Sequence, residues 1–117
     1  MEEHYKRTNY LDDLRALIFE SRHELVKCQA ELNVLSTRIP DIQKKCDKLA
    51  EDICEAKNSG ESPSSERVQK LTEELVGLFA YLHFLRDREE TAKKRLDETR
   101  NKLDILIHER DNFNGSL

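Results

Sequence analysis

Tryptophan is absent from this 117-residue chain, and glycine, with three residues, and proline, with two, are scarce. With 38% charged residues and a mean hydropathy of -0.80, what remains describes an elongated object with little interior. A compact enzyme fits that composition poorly, because a globular domain of this length encloses a core several layers deep. No apolar run approaches the roughly 20 residues needed to cross a bilayer. The charged start Met1-Glu2-Glu3-His4 is unlike a secretion signal. The expectation is a soluble, intracellular protein, cytoplasmic or nuclear, without membrane insertion.

Charge of one dominant sign is also missing. The formal net charge is -4, and Lys and Arg interleave with Asp and Glu along the chain. Lys44-Lys45 and Lys93-Lys94-Arg95 are flanked by acids and read as solvated helix faces, which argues against nucleic acid as the main ligand. Three cysteines without paired spacing suggest free thiols in a reducing compartment, and the sequon Asn114-Gly115-Ser116 is then without consequence. Cys28, Cys46 and Cys54 form no close pair of the kind a zinc site needs, and His4, His23, His83 and His108 are scattered. No glycine-rich phosphate loop and no local Ser, His and acid grouping occurs. The sequence therefore predicts a non-enzyme with no cofactor, no metal and no catalytic residue.

What the chain does have is period. Apolar or small residues recur every three then four positions in the first half: Leu11, Leu14, Ile18, Ser21, Leu25, Cys28, Leu32, Leu35, Ile39, Ile42, Cys46, Leu49, Ile53 and Ala56. The pattern returns as Val68, Leu71, Leu75, Leu78, Leu82, Leu85, Glu89, Ala92, Leu96, Thr99, Leu103, Leu106, Arg110 and Phe113. This heptad spacing is the signature of helices that pack against helices.

Thr8 or Asn9 can cap the first helix, and Asp12 and Asp13 suit the positive end of its dipole. The reading is a lead over 1–8, a first helix over 9–57, a loop over 58–65, a second helix over 66–112 and a tail over 113–117. In the loop, Gly60 can close one helix, and Ser62-Pro63 can open the next as N-cap and first turn. Pro40 falls on the outer face, and Ile39 and Ile42 keep phase across it, so the first helix is expected to kink near Pro40 and continue; a short break is the alternative.

The two seams have matched lengths. Folded back, Ala56 meets Val68, Ile53 meets Leu71, Ile39 meets Leu85 and Leu11 meets Phe113. That register pairs Glu24 with Lys102 and Glu31 with Arg95, but also brings Arg38 near Arg88 and Asp52 near Glu74. The predicted fold is all-α: a long antiparallel helical hairpin, a coiled coil, self-associating into a four-helix assembly. A parallel extended dimer is the competing arrangement and would strand the loop in mid-rod.

A seam accounts for only part of the apolar inventory. The segment from Leu75 to Leu85 is apolar nearly all the way round, and a second stripe, Ala16, Phe19, His23, Val26, Ala30 and Val34, lies on the outer face of the first arm. The candidate interaction residues are Phe19, Val26, Val34, Val76, Phe79, Tyr81, Phe84, Ile105 and Ile107. Glu89 and Arg110 stand at seam positions opposite Leu35 and Leu14, where a charge must reach solvent or a partner. Ser62, before a proline in a serine-rich loop, is the candidate phosphorylation site.

These features predict a structural or adaptor module that joins protein partners, as a homo-oligomer or with other coiled-coil subunits, in a cytoskeletal, centrosomal, kinetochore or trafficking complex. The alternative is a signalling effector whose hairpin binds a small GTPase or another regulatory partner.

Overall fold

The computed structural model describes the backbone of residues 2–115 and the side chains of residues 9–113. Two long helices make up the architecture: α1 over Glu2–Asn58 and α2 over Glu66–Gly115. Both overrun their expected ends. α1 begins ahead of Thr8 and Asn9, because nothing between Glu2 and Arg7 breaks a helix and cap-type residues cost little inside one. α2 runs through Phe113 to Gly115, into the segment expected as a tail; the lead's side chains, Ser116 and Leu117 lie outside the described residues.

Why α1 ends where it does is visible in its last hydrogen bonds. The Glu61 N–H donates to the Ala56 carbonyl at 3.1 Å and the Gly60 N–H to the Lys57 carbonyl at 3.2 Å. This paired closure needs a left-handed residue at its centre, and Gly60 supplies it with φ of 92°. The start of α2 differs from expectation. Ser65, not Ser62, is the N-cap: its Oγ accepts the Val68 N–H at 3.2 Å. Ser62 is held in a local turn instead, its Oγ accepting the Ser64 N–H at 3.2 Å and its carbonyl the Ser65 N–H at 2.9 Å.

α1 passes Pro40 without a break, and Pro40 is exposed. Proline leaves the Ser36 carbonyl without its helical donor. One turn earlier, Ser36 Oγ and Thr37 Oγ1 both donate to the Asn33 carbonyl, at 2.8 Å and 3.4 Å, a pattern of side-chain back-bonding that accompanies bent helices.

Two compact units divide the chain. The loop unit, residues 33–90, packs its stretch of α1 against its stretch of α2 through Leu35, Ile42, Cys46, Leu82 and Leu85, with Ile39, Leu75 and Leu78 partly buried beside them. Arg86 Nη2 donates to Gln43 Oε1 at 2.8 Å and Arg38 Nη1 to Tyr81 Oη at 3.4 Å, which sets residues 38–43 against 81–86 as the Ile39 to Leu85 pairing requires. The feared like-charge contacts find other outlets. Arg38 turns to Tyr81, the Arg88 guanidinium lies 5.7 Å from the Phe84 ring centroid, and Asp52 takes Lys48 at 3.4 Å.

The terminal unit, residues 1–32 with 91–117, is built on Leu14, Ile18, Leu103 and Leu106, with Leu25 and Ile107 packed alongside. The Tyr10 and Phe113 rings meet edge-on at 5.2 Å, next to the expected Leu11 to Phe113 contact. Glu24 pairs with Arg95 at 3.8 Å rather than with Lys102. Both cations stand on the same flank one heptad apart, and Arg95 makes the contact through its Nε.

The helix punctuation can be checked by urea unfolding. Gly60→Ala forces a side chain into the left-handed region and should cost about 1 kcal/mol; Ser65→Ala should cost about 1 kcal/mol through the lost cap, while Ser62→Ala should cost less. Pro40→Ala should act in the opposite direction, restoring a donor on an exposed face and raising stability by up to about 3 kcal/mol.

Candidate functional site: the outer apolar faces

Heptad position decides burial throughout. Every buried side chain among residues 9–113 lies at one of the expected seam positions, and each remaining seam position is half-buried. The outward positions carry the leftover apolar residues. In the loop unit these are Val76, Phe79, Tyr81 and Phe84 on α2 and Val34 on α1; in the terminal unit they are Phe19 and Val26 on α1 and Ile105 on α2. Apart from Tyr81 they stand at least half exposed, from Phe79 at 50% to Phe19 at 74%.

Ile107 departs from expectation. It is half-buried and packs against the Leu14, Ile18, Leu103 and Leu106 cluster, so it belongs to the core of the terminal unit. Its position flanks the seam directly, next to Leu106 in the sequence. Leu17 and Tyr10 are further exposed apolar residues that the pattern had not singled out. Leu17 is a flank residue like Ile107 but on the uncovered side of that balance. Tyr10 is tied to its surroundings, its hydroxyl donating to the Glu109 carboxylate, and that hydrogen bond raises the phenol above its ordinary pKa.

The polar seam residues are accommodated. Glu89 and Arg110 are half-buried, and Arg110 Nη2 lies 3.2 Å from Asp111 Oδ1. Ser21 and Thr99 are buried, and among the described residues no buried side-chain nitrogen or oxygen lacks a hydrogen-bond partner.

Among the surface depressions, one is lined by Asn33, Val34, Thr37, Arg38 and Asp41 and another by Lys44, Lys45, Lys48, Leu49, Glu74 and Leu78. Among the described residues no group of three or more His, Cys, Asp or Glu is placed to hold a metal ion, and no helix is long and apolar enough to cross a membrane.

Ser62 is exposed, and its Oγ lies 2.8 Å from that of Ser64, three residues before the Ser65 cap. All three thiols are free, with Cys28 and Cys46 buried and Cys54 exposed. Burial pushes the Cys28 thiol above its ordinary pKa, and the Glu24 carboxylate adds to the shift while Arg95 opposes it.

No family model, no curated protein and no solved structure matches the chain. The chemistry of its surface therefore carries the functional argument alone.

The thiols offer a direct check on this burial. At pH 8 a chromogenic disulfide should modify Cys54 rapidly and leave Cys28 and Cys46 to react only as the fold opens. Because Cys28 is held neutral, its contribution to stability is complete below the usual thiol range and is lost as pH rises through the raised value. Stoichiometric labelling of all three at one rate would contradict it.

Proposed function

We propose that the chain is a structural or adaptor module: a coiled-coil hairpin that joins protein partners, by self-assembly or with other coiled-coil subunits, within a larger intracellular complex of the cytoskeletal, centrosomal, kinetochore or trafficking kind. One observation carries the reading. Among residues 9–113 the seam already accounts for every buried side chain, yet Phe19, Val26, Val34, Val76, Phe79, Phe84 and Ile105 remain on outward faces. Burying each such side chain contributes roughly 1.5–3 kcal/mol, so covering several of them with a partner supplies a strong association energy. The modest ionic contacts give little competing stability, since exposed pairs such as Lys70 with Glu66 at 3.4 Å contribute at most about 1 kcal/mol.

The test uses the tagged full chain in extracts of its own cells. The chain should elute in an assembly heavier than two copies of its 13.8 kDa mass. Phe19→Glu with Val26→Glu, on the face of α1 in the terminal unit, should release it while far-UV circular dichroism stays unchanged. Elution as a single chain or a bare dimer would overturn the reading, and recovery only in the presence of a nucleotide-loaded GTPase would replace it with the effector alternative.

A further inference from the structure

The stretch from Leu75 to Leu85 contains no Asp, Glu, Lys or Arg, although such residues make up 38% of the chain. Leu75, Leu78, Leu82 and Leu85 turn to the seam. Val76, Gly77, Phe79, Ala80, Tyr81, His83 and Phe84 are left exposed. Of these, Val76, Gly77, Ala80, His83 and Phe84 follow helical spacing down the face opposite the seam.

Gly77 is the residue the single chain does not explain. It lies in the interior of α2 without a left-handed φ, and a Cβ added there would meet nothing within 4 Å. Glycine is the least favourable helix residue after proline. Its advantage is the close approach of another backbone, and Ala80, one turn on, has the next smallest side chain.

Charge supplies the second argument. Lys70 and Glu74 precede the apolar face, and Arg88 and Glu90 follow it. If the same face of a second copy is turned end for end about Ala80, Lys70 meets Glu90 of the second copy and Glu74 comes beside its Arg88. Symmetry makes each pairing twice. Between them Val76 packs on Phe84 of the second copy, and Gly77 receives its His83. One pairing opposes this arrangement, Glu73 with Asp87, and Asp87 has His83 Nε2 at 3.4 Å on its own helix. A parallel pairing is worse, because it keeps two acidic contacts at Glu73 and Asp87 and in addition sets Lys70, Glu74, Arg88 and Glu90 each against itself.

We propose that a second copy of this chain docks antiparallel across the outer face of α2 in the loop unit, crossing closest at Gly77 and Ala80. The proposal rests on the interaction-module reading and names one partner and its contact. Self-complementarity favours a second copy over an unrelated helix, since an isologous contact needs bulk, smallness and charge to invert about one point, as they do about Ala80 at every pairing named except Glu73 with Asp87.

Sedimentation equilibrium of the purified, reduced full chain tests it. Wild type should dimerise in the micromolar range. Gly77→Leu, which favours the helix itself, should keep the circular dichroism and thermal unfolding of the single chain intact while raising the dissociation constant by at least about tenfold. With Cys54→Ser as background, Ala80→Cys should form an interchain disulfide under mild oxidation, because it faces itself at the two-fold axis, and Phe84→Cys should not. A wild-type monomer, a dimer indifferent to Gly77→Leu, or self-linking of Phe84→Cys without that of Ala80→Cys would overturn the proposal. None of those results touches the larger assembly released by Phe19 and Val26, so the two readings fail separately.

Discussion

Two helices facing one another can each hide a single stripe, and that limit organises the whole molecule. A stripe at heptad spacing is wide enough for one row of Leu, Ile, Val, Cys or Ala side chains and no second row. The sequence fills it with discipline: among residues 9–113, nothing is buried that does not stand on it. Stability must come mainly from these contacts, because an exposed ion pair crossing between the helices, such as Arg95 with Glu24 at 3.8 Å, contributes little.

The two units fill their stripes differently. The loop unit uses Leu35, Ile42, Leu82 and Leu85 around Cys46, and it continues toward the loop through Leu49, Ile53, Ala56 and Val68. The terminal unit has large buried residues at Leu14, Ile18, Leu96, Leu103 and Leu106, while Ser21, Cys28, Ala92 and Thr99 place small or hydroxylated side chains on the same stripe. Small residues remove fewer apolar contacts from water and contribute correspondingly less. Within the terminal unit, packing therefore contributes unevenly along the stripe, more at Leu14, Ile18, Leu96, Leu103 and Leu106 than at the small residues between them.

The seam was legible in the sequence because a heptad repeat encodes a direction for every side chain, and over so many turns a wrong phase would have been obvious. Helix ends were less so. Ser62 and Ser65 are both plausible caps by residue type, and the choice between them depends on which backbone donors are free: Ser62 is engaged by Ser64, and Ser65 is left facing Val68. Flank positions are ambiguous for a related reason. Ile107 and Leu17 both border the seam, yet one packs on the core and the other is mostly uncovered, a difference set by the neighbouring side chains and not by spacing. Ionic partners were the least readable. Glu24 can reach either of two cations a heptad apart, and long flexible side chains choose between them by a few tenths of a kcal/mol.

The outer faces pose the reverse problem, since they were legible as apolar but the hairpin gives them no purpose. Nothing in helix propensity asks for Phe or Val at an outward position; both are poorer helix formers than the Lys, Glu and Arg that fill most of this surface. Their placement is also uneven. Charged residues vanish for the whole of Leu75 to Leu85 and return immediately as Arg86, Asp87 and Arg88. A stretch tuned only for the stability of one chain would alternate seam residues with charge here as it does elsewhere, and would carry alanine rather than glycine at position 77. The departure from the hairpin's own rules is thus local, bounded on both sides by charge and directed away from the seam. That is the pattern that the proposed contact with a second copy would require.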